Sequence, residues 1–150
     1  MYLEEKIAAQ IINMNPFPEK GFIDEEVARR QFKVVLKGFN HLNQPGNNFL
    51  YIADEVGLGK TYIAIGIASL FRYFSSNPEN YIDTIIVPKK NLQYKWLKEI
   101  KNFIKNNYCQ QDNRVRSIID KPVALLNNES IIDRLEPEPF KIEGSRYVLM

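Results

Sequence analysis

The chain has 150 residues, 45% hydrophobic and 25% charged, with a formal net charge of +2. That is the balance of one globular domain able to bury a core. No run approaches the roughly 20 apolar residues of a membrane-spanning helix, the acidic opening MYLEEKIAAQ is not ordered like a signal peptide, and the single cysteine (Cys109) and single histidine (His41) exclude an intrachain disulfide and clustered Cys/His zinc chemistry.

Leu3, Ile7, Ala8, Ile11 and Ile12 have helical spacing, and Asn15-Pro16-Phe17-Pro18 stops that helix. Asp24 is placed to cap a second helix, with Glu25 and Glu26 in its first turn. Val27, Gln31, Val34, Val35, Gly38, Phe39 and Leu42 continue it to about Asn43, where Gln44-Pro45-Gly46-Asn47-Asn48 reads as a turn. Phe49 to Ala53 is a short apolar run of the kind found in strands buried on both faces of a parallel sheet. A glycine-containing loop follows, then helical periodicity from Thr61 to about Phe74. Tyr81 to Val87 predicts a second strand and Leu92 to about Asn106 a further helix, with Leu92, Trp96, Leu97, Ile100, Phe103 and Ile104 on one face. Val115–Ile119 and Arg146–Met150 predict two more strands. Strands alternating with helices imply an α/β layer architecture with a parallel sheet flanked by helices. The last of these runs reaches the final residue uncapped, so the sequence reads as one that continues past Met150.

The chemistry concentrates in Asp54-Glu55-Val56-Gly57-Leu58-Gly59-Lys60-Thr61. An apolar strand enters this loop and a helix leaves it, which directs unpaired backbone N–H groups and the positive end of a helix dipole at one point. Gly57 and Gly59 let the backbone close around phosphate; Lys60 is suited to the β- and γ-phosphates of a nucleotide and the Thr61 hydroxyl to Mg²⁺. Asp54 stands where the usual G-x-x-x-x-G-K-[ST] pattern has its first glycine. Leu50 to Glu55 also has the form of a strand ending in metal-binding carboxylates, but the lysine and glycines that follow favour the phosphate loop, with Asp54 and Glu55 shaping it. Lys89, Lys90, Lys95, Lys98, Lys101 and Lys105 lie in one short segment, which is compatible with a solvated helix face and with a phosphate-facing surface.

At these residues the sequence resembles the Swi/Snf-like branch of superfamily 2 helicases and translocases. Their phosphate loop commonly reads D-E-x-G-L-G-K-T, and 54–61 matches it throughout. Gln31 stands at the distance of the family's adenine-reading glutamine, and its amide can both donate and accept. Ile85-Ile86-Val87-Pro88 followed by Trp96, Glu99 and Phe103 looks like the family's second motif. In relatives that strand end and helix start lie along DNA, which makes Lys89, Lys90 and Asn91 candidate contacts; Trp96 and Phe103, on the apolar stripe, are expected in the core. The resemblance implies a partial RecA-like domain over 25–150, preceded by a helical extension at 1–24 and ending before the DEAH-type box. It also implies a site for ATP and Mg²⁺ made by Gln31, Asp54, Glu55, Val56, Gly57, Leu58, Gly59, Lys60 and Thr61. The parent protein would be an ATPase moving on duplex DNA, and a cytoplasmic location is the default expectation.

ATP hydrolysis needs a second magnesium-holding carboxylate, a group that orients water and, in most such enzymes, an arginine finger. Glu129, Asp133, Glu136 and Glu138 lie in polar, proline-interrupted sequence and make poor substitutes. These residues are therefore expected to bind nucleotide without turning it over alone. Two other readings stay open: an unrelated P-loop enzyme such as a kinase or GTPase, although no guanine-reading N-K-x-D is present, and a non-catalytic nucleotide- or DNA-binding module.

Overall fold

A computed structural model describes residues 2–53, 59–78, 81, 83–87, 90–120 and 146–149, with the backbone alone at 90, 117–120 and 146–149. In chain order the elements are α1 (Glu5–Ile11), a 3-10 turn (Pro18–Lys20), α2 (Glu25–Leu42), α3 (Lys60–Tyr73), β1 (Asp83–Ile86), α4 (Lys90–Asn106), α5 (Asn113–Asp120) and β2 (Arg146–Leu149). The described fold is a helix-rich α/β arrangement centred on α3.

Local chemistry accounts for the boundaries of α2. Asp24 Oδ1 accepts from the backbone N–H of Glu26 at 2.8 Å and of Val27 at 3.4 Å, which satisfies two donors that the first turn leaves open. Glu25 and Glu26 add negative charge at the positive end of the helix. Ala28, Gln31, Val35, Gly38 and Phe39 form its buried stripe. In α3, by contrast, burial runs almost without break from Ile63 to Arg72. A helix that is apolar nearly all round belongs in the middle of a fold.

α2 and α3 approach closely because each is notched by glycine. A Cβ on Gly38 would meet Ile67 Cδ1 at 2.7 Å and Leu50 Cδ2 at 2.9 Å, and one on Gly66 would meet the Val35 methyls at 3.1 and 3.2 Å. Phe39 fills the far end of this contact against Phe71, with ring centroids 4.5 Å apart. α1 joins the same core through Ala8, Ile11 and Ile12. It is tied at both ends: Asn40 exchanges two hydrogen bonds with the Leu3 backbone (2.7 and 2.9 Å), and Ile12 bridges Tyr108. Asn13 N donates to Asn107 O at 2.8 Å while Asn107 Nδ2 donates to Asn13 O at 2.7 Å. These bonds satisfy buried polar groups at the edge of an apolar core, where an unmade bond would be costly.

β1 and β2 pair in parallel, with Asp83 opposite Arg146 and Ile86 opposite Leu149. Both strands fall within predicted runs, and the helices at α1, α2, α3 and α4 fall where periodicity placed them. Two expectations are corrected. Residues 115–119 are helical, within α5. Asp112 Oδ1 accepts from Arg114 N at 3.1 Å and so starts a helix, and Val115, Ile118 and Ile119 have three- and four-residue spacing that the β-branched composition masked. Residues 49–53 pair with no described strand and are not buried on both faces. Phe49 and Tyr51 are 71% and 77% exposed, while Leu50 and Ile52 pack against the core. That alternation covers one face only.

A buried polar cluster closes the end of α3 away from Lys60. Arg72, 5% exposed, donates through Nε to Arg114 O (2.9 Å) and through NH1 to Tyr81 O (2.8 Å). Burial pushes the nearby Asp83 carboxyl up to about 6, against the opposing pull of Arg72 and a hydrogen bond from Tyr81. A carboxyl raised in the folded state holds its proton while the unfolded chain has released it, so its contribution to stability falls as pH rises from about 4 through 6. Relative to wild type, Asp83→Asn is therefore expected to melt higher at pH 7.5 than at pH 5. Melting curves at the two pH values test this, and a difference that is constant or reversed removes Asp83 from the pH response.

Candidate functional site

The N-terminus of α3 is the chemically distinctive place in the fold. Gly59 caps the helix at φ 77° and ψ 30°, a left-handed conformation that side chains with a Cβ rarely adopt. Ile63 N donates to Gly59 O at 3.0 Å and closes the first helical turn. The N–H groups of Lys60, Thr61 and Tyr62 precede that bond and have no acceptor within the helix, so they project from its positive end. Lys60 and Thr61 are both half-buried there.

Gln31 comes from the middle of α2, and α2 packs along α3. Its side chain is 7% exposed and lies against Gly59, where a Cβ would collide with the Gln31 amide nitrogen. Residues 28 positions apart in sequence therefore meet at the helix start. The glycine is required twice, once by its backbone conformation and once by the space that Gln31 occupies. Asp54, Glu55, Val56, Gly57 and Leu58 lie outside the described residues, as does Lys89. Lys90 is the first residue of α4, and Asn91 is exposed in the first turn. Trp96 packs half-buried against the core and Phe103 is fully buried, the structural role expected of both.

One pair escaped sequence reasoning. Tyr62, directly after Thr61, has its hydroxyl hydrogen-bonded to Glu99 of α4; burial first and then this carboxylate push the phenol up to about 12, so the hydroxyl keeps its proton. The available signal was the position of Glu99, three residues after Trp96 and four before Phe103, hence on the inward side of an otherwise apolar stripe. A carboxylate there needs a donor.

Comparison with known proteins gives these features a family. The ResIII family, described as "Type III restriction enzyme, res subunit", matches residues 23–146, well over half of the chain. The chain belongs to the ResIII family. ResIII is a superfamily 2 helicase domain, so the resemblance drawn from 54–61 and 85–103 is borne out. The chain is also similar to the "DNA annealing helicase and endonuclease ZRANB3" of Bos taurus, 34% identical over 104 residues covering 61% of this chain and 9% of that protein. The Homo sapiens protein of the same name is 31% identical over 109 residues, covering 64% of this chain and 10% of its own length. The chain thus spans about a tenth of the length of these curated relatives. No solved structure matches it significantly. Among the described residues no helix is long and apolar enough to cross a membrane, and no cluster of His, Cys, Asp and Glu could hold a metal ion.

Proposed function

We propose that this ResIII chain is the ATP-binding part of a DNA-dependent ATPase of the Swi/Snf-like kind. The observation that carries the reading is the meeting of Gln31 with Gly59 at the N-terminus of α3. A helix start with outward N–H groups, kept clear of any Cβ, suits a phosphate group. Lys60 would pair with the β- and γ-phosphates, and the Thr61 hydroxyl would hold Mg²⁺. Asp54, Glu55, Val56, Gly57 and Leu58 would complete the cradle with their backbone. Gln31 would read the adenine edge with its amide. Bound Mg²⁺ would neutralise phosphate charge.

The domain would be RecA-like, with β1 and β2 as two strands of its parallel sheet and with 49–53 leading into the phosphate loop. Lys89, Lys90 and Asn91 would meet the backbone of duplex DNA. In the whole protein, working in the cytoplasm, ATP turnover would drive movement along that duplex. These residues would supply binding and orientation; the water-orienting group and the second magnesium ligand would come from elsewhere in the parent.

Adenine selectivity tests the reading. Wild type is expected to bind Mg·ATP and Mg·ADP in preference to Mg·GTP. Gln31→Ala should weaken ATP binding by about two- to tenfold, the worth of a neutral hydrogen bond, and should erase the preference. Calorimetric titration of Mg·ATP and Mg·GTP into both proteins decides it. Equal affinity of wild type for ATP and GTP would contradict an adenine-reading role for Gln31.

A further inference from the structure

The proposed nucleotide and DNA sites are on different helices, and among the described residues a polar contact between Tyr62 and Glu99 joins those helices. On α3, Tyr62 and Gly66 stand one turn apart, as do Glu99 and Phe103 on α4. The Phe103 ring enters the notch at Gly66, where a Cβ would stand 3.6 Å from its Cζ. The Tyr62 and Phe103 rings meet edge to face with centroids 5.5 Å apart. The Tyr62 hydroxyl then reaches the Glu99 carboxylate. Tyr62 is the next residue after Thr61, and Glu99 is nine residues along the unbroken helix that starts at Lys90, a rigid span of about 14 Å at the helical rise per residue.

Packing alone would not call for this pair. A phenylalanine at position 62 would keep the ring contact, and burying a carboxylate and a hydroxyl carries a desolvation cost that an apolar pair avoids. What the pair adds is direction: a charge-assisted hydrogen bond fixes the rotation and register of one helix against the other, where apolar surfaces can slide. Resting on the nucleotide and DNA reading above, we propose that Tyr62 and Glu99 are positioning residues that couple nucleotide occupancy at Lys60 and Thr61 to duplex affinity at the start of α4.

The test is a linkage measurement on the full chain. The Kd of Mg·ATP is measured by calorimetry without and with a saturating short DNA duplex, and the ratio of the two is the coupling factor. Wild type is expected to show a factor of about 5 or more. Tyr62→Phe should leave each affinity, taken alone, within about twofold, while the factor collapses towards one. Glu99→Gln keeps an acceptor without the charge and should retain part of it; it also supplies the readout if Tyr62→Phe folds poorly in melting curves. A purely structural role would lower the melting temperature and leave the factor intact, which overturns the proposal, as does a wild type that binds both ligands with a factor of one. A wild type that binds no Mg·ATP overturns the nucleotide reading itself and this coupling with it.

Discussion

Gly59→Val is expected to abolish Mg·ATP binding and to melt well below wild type. The backbone of Gly59 sits at φ 77°, where a non-glycine residue costs about 1–2 kcal/mol and a β-branched one more. The added side chain would also strike the Gln31 amide, and overpacking of this sort costs about 1–3 kcal/mol. The strain has two outlets, and both damage the site. The start of α3 can rotate out of the left-handed conformation, which redirects the N–H groups of the first turn, or Gln31 can be driven off its seat. Gly59→Ala should show the same pattern more weakly. Denaturant unfolding and nucleotide calorimetry on the three proteins test this. Wild-type stability and affinity in the valine variant would mean that the loop enters α3 by another path.

The largest effect on stability is expected at Phe103. The ring is fully buried, fills the notch at Gly66 and meets Tyr62 edge to face. Removing a buried phenylalanine side chain costs about 3–5 kcal/mol, through lost transfer free energy and the cavity left behind. Such a loss is a large share of the 5–15 kcal/mol that about spans the stability of small domains. Phe103→Ala should thus move the urea midpoint far towards zero without changing the slope, whereas Phe103→Leu should be milder. An alanine variant within about 1 kcal/mol of wild type, the effect of an ordinary surface change, would show that α4 does not close the core on α3.

The helices were legible in the sequence because their signals are local. Asp24 announces α2, the apolar spacing of 27–42 and 92–106 predicts amphipathic helices, and the near-continuous apolar run after Lys60 matches a helix buried all round. The strands were less legible. The run at 49–53 is apolar at every position, yet only Leu50 and Ile52 are covered, since burial there depends on which strands stand alongside and composition does not carry that. At 115–119 β-branched residues outweighed a three- and four-residue spacing, although Asp112 held the deciding cap signal. In the candidate site, the order Gly59-Lys60-Thr61 pointed to a helix start, and Gln31 was singled out only by the family resemblance; that it lies against Gly59 is visible in the fold alone. The contact between Tyr62 and Glu99 was not, because it is set by which faces of α3 and α4 meet. The same holds for Arg72 and Asp83, whose electrostatic interaction depends on how the end of α3 and β1 lie against each other.

The central claim is that the start of α3 holds the phosphates of a nucleotide, and titration of Mg·ATP into wild type and Lys60→Ala tests it most directly. On this account Lys60 would contribute charge-assisted hydrogen bonds to the phosphates, worth about 1.5–3 kcal/mol each. It is half-buried at a helix start and not part of the apolar core. Wild type should bind saturably, and Lys60→Ala should lose the binding, a drop of at least about tenfold by that arithmetic, with its melting temperature unchanged. An equally stable variant that binds Mg·ATP as tightly as wild type would contradict the account.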